Sequence, residues 1–382
     1  MVSTRTSSYG TESQEPDTRP GSLSARRERW AHLLRAKHYQ LLIAEVLERE
    51  MPKYVGSNIL PSLFSSRLRE CTSILASASS IFAAAVDGTL TQRLLEDSSL
   101  QREYARIRER AHTQPSIYIH LLIDERSIAP TANQYSLIRE AILQYISSGS
   151  EYQDLAWAID NITPPPVRHS GTVTGYRKYL WTSHRSRQHL ETLLRFCEGI
   201  LRRVTETPLS QRDTPMKYPP TECGYSINSH VRLEQHRQRH FSNYVMNLVE
   251  DVCGYLHQVG KLSQRFTMHP FIIYLIFYPE QAAMAEIFCS GLLQVWIEEG
   301  GGLNAYPAGR SVASARRVSG SQWGDHERWI SENTDFLSNM RVQRDRLESD
   351  VAQLEWATEE AWREALNSED GDDPKDLDYV PG

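Results

Sequence analysis

A chain of 382 residues, 40% apolar and 24% charged, is long enough to bury a substantial core and hold about two domains, so a wholly disordered or fibrous protein is excluded. The net charge of −6 sits at one end: residues 367–382 carry six acids against Lys375, leaving the remainder nearly neutral, with no global basic field of the kind that announces a polyanion binder. Five dispersed cysteines (Cys71, Cys197, Cys223, Cys253, Cys289) with no CxxC pair argue against a disulfide frame and suit buried thiols in a reducing compartment.

Residues 1–22 are rich in Ser, Thr and Gly, lack the apolar core of a secretory signal and are expected to be disordered. Helices should dominate residues 23–215. Trp30, Leu33, Leu34, Leu41, Ala44 and Leu47 keep helical spacing from Ser24 onward, and further helices are expected over 61–84 and 95–111. SIYIHLLID, Ser116 to Asp124, is β-branched and aromatic and predicts a strand. Thr131 or Asn133 can then cap a helix carrying Tyr135, Ile138, Ile142 and Tyr145. Pro164, Pro165 and Pro166 interrupt the pattern, and Leu190, Leu193, Leu194, Cys197 and Ile200 restore it. Beyond 311, Met340, Leu347, Leu354 and Ala361 recur every seven residues in a last packing helix, followed by a solvated acidic tail over 367–382. The longest apolar run, Phe271 to Tyr278, is far too short to span a bilayer, so no membrane partner and an intracellular site, nuclear or cytoplasmic, are expected.

Residue types that suggest chemistry gather between Glu222 and Asn304. Ser226 or Asn228 can cap a helix starting at about Ser229, on which Asn228, Arg232 and His236 recur in steps of four and share a face; Arg239 lies close to the same line. A guanidinium with an imidazole one turn away suits a phosphate oxygen, whereas the plain alternative is a solvated polar face. Phe271 to Tyr278 predicts a buried strand, and Pro279-Glu280 opens a helix that is apolar nearly all round to Ile297, with Glu286 its only charge. A lone carboxylate there is costly unless an arginine or a metal ion faces it. Cys223, His236 and His240 have the spacing of half a two-Cys-two-His zinc finger, but KYPP stands where the other cysteine belongs, so that site lacks a ligand.

In this order the pieces resemble the GIY-YIG endonuclease superfamily. Gly224, Arg232, Leu233 and His236 stand at the family's offsets, FIIYLIF resembles its third strand, Ala282 to Glu286 its glutamate helix, and GGGLN ending at Asn304 its closing turn. The tyrosine of the YIG element falls at Glu222, with Tyr225 a shifted substitute, and the nearest GIY lookalike is Ser116-Ile117-Tyr118. The resemblance implies phosphodiester hydrolysis of DNA or RNA with one Mg²⁺ or Mn²⁺ held by Glu286. In it Arg232 stabilises the phosphate charge, Tyr118 or Tyr225 orients or deprotonates the attacking water, and His236 assists. Arg239 and Arg310 are then candidates for further phosphate contact, and Gly224 and Asn304 are structural motif positions. If the site is not intact, a catalytically retired nucleic-acid binder is implied.

The expectation is therefore an α+β protein. Helical regions over 23–215 (with 116–124 the candidate first strand) and 311–366 surround a small three-stranded core at 216–310. The rival reading is a helical protein-interaction scaffold with a purely structural core.

Overall fold

The computed structural model describes residues 21–57, 59, 64–181, 188–240, 242–300 and 302–369; of the disordered tails expected over 1–22 and 367–382, residues 1–20 and 370–382 lie outside the described residues, while 367–369 belong to the last helix. Six helices come first: α1 (Leu23–Arg35), α2 (Tyr39–Glu50), α3 (Phe64–Ala76), α4 (Ser80–Asp87), α5 (Leu90–Glu96) and α6 (Ser98–Arg110). Strand β1 (Ser116–Ile123) follows, then α7 (Ala132–Ile146), α8 (Gln153–Asp160), α9 (His169–Val173) and α10 (Gln188–Glu206). The second half holds β2 (Thr221–Ser226), α11 (Ser229–Arg237), α12 (Tyr244–Gln258), β3 (Thr267–Leu275), α13 (Gln281–Leu293), α14 (Gly320–Asn333) and α15 (Phe336–Glu369). The α+β class is as the sequence indicates. No helix is long and apolar enough to cross a membrane among the described residues.

The helices start where capping chemistry allows. Expected helix 61–84 divides at Ser79, whose side chain accepts the Phe82 N–H, and expected helix 95–111 divides at Asp97, which caps α6. Thr131 and Gln134 form a reciprocal capping box on α7, and Asn228 accepts the Val231 N–H at the start of α11. Helix α13 ends at Leu293, before the expected Ile297, because Gln294 turns left-handed. Strand β3 lies earlier than the apolar run suggested. Its Thr267–Pro270 end gains pairing from β1 that no apolar pattern reveals, and Pro270 is tolerated because β3 is an edge strand.

The sheet has the order β2-β1-β3, antiparallel throughout, so the GIY-like segment is its central strand although residues 124–220 separate it from β2. Period-two alternation sends β1 into two cores. Ile117, Ile119, Leu121 and Ile123 face an N-terminal core built with α1–α4 and α13, while Leu122 faces a second core of α7, α10 and α12. The other even residues, Tyr118 and His120, share Leu122's side of the strand, and both are buried. A register shift between Ile117 and Tyr118, where Ile273 is the extra residue of β3, bends the sheet beside Tyr118.

Candidate functional site on the sheet

Cross-strand register assembles the site. Tyr118 lies opposite Gly224 and His120 opposite Glu222, so all four share the even face of β1 and β2. Gly224 is required by its partner: a Cβ there would stand 2.5 Å from the Tyr118 hydroxyl. Over this face lies α11, which places Arg232 Nε 3.4 Å from the Tyr118 hydroxyl and stacks His236 on His120, ring centroids 5.1 Å apart. The face of α11 read from the spacing is therefore turned to the sheet: Asn228 caps, Arg232 meets Tyr118 and His236 meets His120.

Glu286 reaches the same place from the free edge of β2. Its Oε2 accepts the Gly309 N–H at 2.8 Å, the Tyr225 backbone N–H also donates to it, and part of the side chain stays open to solvent. Burial and the neighbouring Glu222 carboxylate push its pKa up to about 7, against the two amides and Arg232. Glu222 is buried and hydrogen-bonded to His120 Nδ1 at 2.8 Å. Burial alone would raise its pKa, but the His120 bond, His236 and Arg232 outweigh burial and lower it. His236 is 4% exposed, and burial first, then His120 and Arg232, lower it to about 4, leaving a neutral ring. Tyr118 is 2% exposed; burial and then Glu222 hold its hydroxyl far above the ordinary tyrosine range, so it keeps its proton.

Of the two candidate tyrosines, Tyr118 supplies the hydroxyl that meets Arg232; the Tyr225 hydroxyl accepts from Ser314 on the other face of β2. Asn304 pairs with both backbone groups of Cys223, its Oδ1 accepting the N–H at 3.0 Å and its Nδ2 donating to the C=O at 2.8 Å, which covers the strand edge. Arg310 is exposed next to Gly309. Arg239 is a correction. It follows the end of α11 with φ +59, and its guanidinium is taken by Asp251 at 2.8 Å, Glu250 at 3.3 Å and the Tyr179 hydroxyl at 2.6 Å. These partners make it a structural cation of the second core.

His120 and Glu222 were missed as site residues. The available signal was polarity out of place: one imidazole in SIYIHLLI and one carboxylate in TECGYS, each at even spacing from Tyr118 and Gly224. The half zinc-finger spacing has no structural counterpart, because the Cys223 thiol points into the N-terminal core while His236 lies on the opposite face of the sheet. The more open cavities lie elsewhere; one of about 690 Å³ is lined by Pro165, Arg168, Lys178 and Trp181. Comparison with protein families, with characterised proteins and with solved structures finds no match to this chain.

Proposed function

We propose that residues 216–310, completed by β1, form a divergent GIY-YIG-like core that engages a nucleic-acid phosphodiester and hydrolyses it with Mg²⁺ or Mn²⁺. One observation carries the reading: the Tyr118 hydroxyl meets Arg232, and the Glu286 carboxylate lies near enough to act electrostatically with both, although the three come from distant parts of the chain. The donor set fits the ion. A single carboxylate whose Oε2 is fixed by the Gly309 amide suits a hard cation that takes one protein carboxylate and keeps most of its waters. When bound, the cation would neutralise charge on the phosphate. Arg232 stabilises the charge that builds on the non-bridging oxygens. Tyr118, protonated at neutral pH, orients the attacking water rather than taking its proton.

A second reading, a retired nuclease core that still binds nucleic acid, is favoured by two specific features. Tyr118 is almost wholly enclosed, and the Glu222 carboxylate stands where the resemblance places a tyrosine, adding negative charge beside a phosphate. The test is cleavage of single- and double-stranded DNA and RNA by the full chain with Mg²⁺ or Mn²⁺, comparing wild type with Glu286→Ala. The expected result is metal-dependent cleavage reduced at least ~100-fold by the substitution. Absence of cleavage, with salt-sensitive binding weakened by Arg232→Ala, would establish the retired core. Neither cleavage nor binding would leave the interaction scaffold.

A further inference from the structure

We propose that His120, Glu222 and His236 form a binding site for a single transition-metal cation of the Zn²⁺ class, separate from the hard-cation role of Glu286. The three residues come from β1, β2 and α11, all are buried, and one ligand atom from each lies within 4.8 Å of the other two. Ligands at about 2.0–2.2 Å from a tetrahedral ion lie about 3.3–3.6 Å apart, a spacing within that limit. Two imidazoles and a carboxylate form a recurrent zinc donor set that leaves one coordination position open.

The second, independent observation is His236 itself. Its ring is 4% exposed, and neither Nδ1 nor Nε2 has a hydrogen-bond partner. Buried polar atoms are nearly always paired, and an orphaned imidazole with both nitrogens bare calls for a ligand. The ring stacks at 22° on His120, so it must turn to bring a nitrogen to a shared ion; with no hydrogen bond to break, the turn disturbs packing alone. Paired strands hold His120 and Glu222 in place; the 2.8 Å bond between them engages His120 Nδ1 and Glu222 Oε2 and gives way, with loss of its proton, where those atoms turn to the ion. Oxygen-seeking Mg²⁺ gains little from two imidazoles, which is what separates this site from Glu286. The inference does not rest on the phosphodiester reading, since metal binding is measured without nucleic acid.

The experiment is titration of chelator-treated full-length protein with Zn²⁺ by calorimetry, and with Co²⁺ by visible absorption. One Zn²⁺ per chain is expected, with intense Co²⁺ bands of a four- or five-coordinate site. His236→Gln should weaken Zn²⁺ at least ~100-fold, on the scale by which even second-shell changes cost 10–100-fold. His240→Gln, at an exposed position close by, should change nothing. His236→Gln breaks no hydrogen bond and should fold, which circular dichroism checks. Absence of stoichiometric Zn²⁺ binding to the wild type, binding unaltered in His236→Gln, or a pale octahedral Co²⁺ spectrum would each overturn the proposal. If nuclease activity fails while Zn²⁺ binds, only the phosphodiester reading falls.

Discussion

At the scale of single residues, the site is defined by close approach. Tyr118 fits because residue 224 has no side chain, so Gly224→Ala should force the ring or the strand to shift. The expected cost is about 1–3 kcal/mol in urea denaturation, the range for overpacking a filled interior. An unchanged midpoint would mean that the ring moves freely. Local spacing pointed to Gly224, Arg232 and His236, because a helical face and a glycine offset are properties of neighbouring residues. His120 and Glu222 could not be found that way: their meeting depends on the register between strands separated by residues 124–220. Arg239 is set apart from that face for the opposite reason. It continues the helical line on paper, but α11 has ended and the left-handed turn swings it toward Asp251.

At the scale of elements, two contacts hold the core in its setting. Asn304 imitates a neighbouring strand along β2, and Asn304→Ala should leave the Cys223 amide and carbonyl short of partners. The expected loss is about 2–3 kcal/mol, with faster hydrogen exchange of the β2 amides measured by mass spectrometry. Arg239 neutralises Asp251, whose side chain is fully buried, between α12 and the turn after α11. Arg239→Met should therefore cost about 3–5 kcal/mol and leave any nucleic-acid affinity unchanged once the protein is folded; a loss of binding at full stability would return Arg239 to the ligand surface. Local signals marked the GGGLN turn and the cap at Asn228, but not the ion pair of Arg239 with Asp251. The β3 boundary was not advertised, since Thr267–Pro270 joins the sheet through its partner and not through its own apolar content.

At the scale of the molecule, Glu286 links the site to overall stability. Its folded pKa of about 7 lies above the ordinary 4.5, so the folded chain holds the proton more tightly than the unfolded one. Stability from this group is complete below about pH 4.5 and is lost as the pH rises to 7, by roughly 2–3 kcal/mol. In EDTA, Glu286→Gln should flatten that slope, so that its advantage over wild type is larger at pH 8 than at pH 5. Parallel pH profiles for the two proteins in urea denaturation would show that the carboxyl is not held in an environment that disfavours its charge.

The central position of β1 has a consequence for how the chain is made. During synthesis at about 5–20 residues per second, an apolar strand emerges many seconds before β2 and β3, the two strands that flank it. Until then it is an unpaired edge on both sides, and only helices can shelter its faces, the N-terminal ones on one side and α7 and α10 on the other. Folding should be slow for a helix-rich protein, set by a few long-range pairings rather than by its many local turns. A fragment covering 216–310 alone would carry both outer strands with no strand between them, and should aggregate where the full chain stays monodisperse in gel filtration.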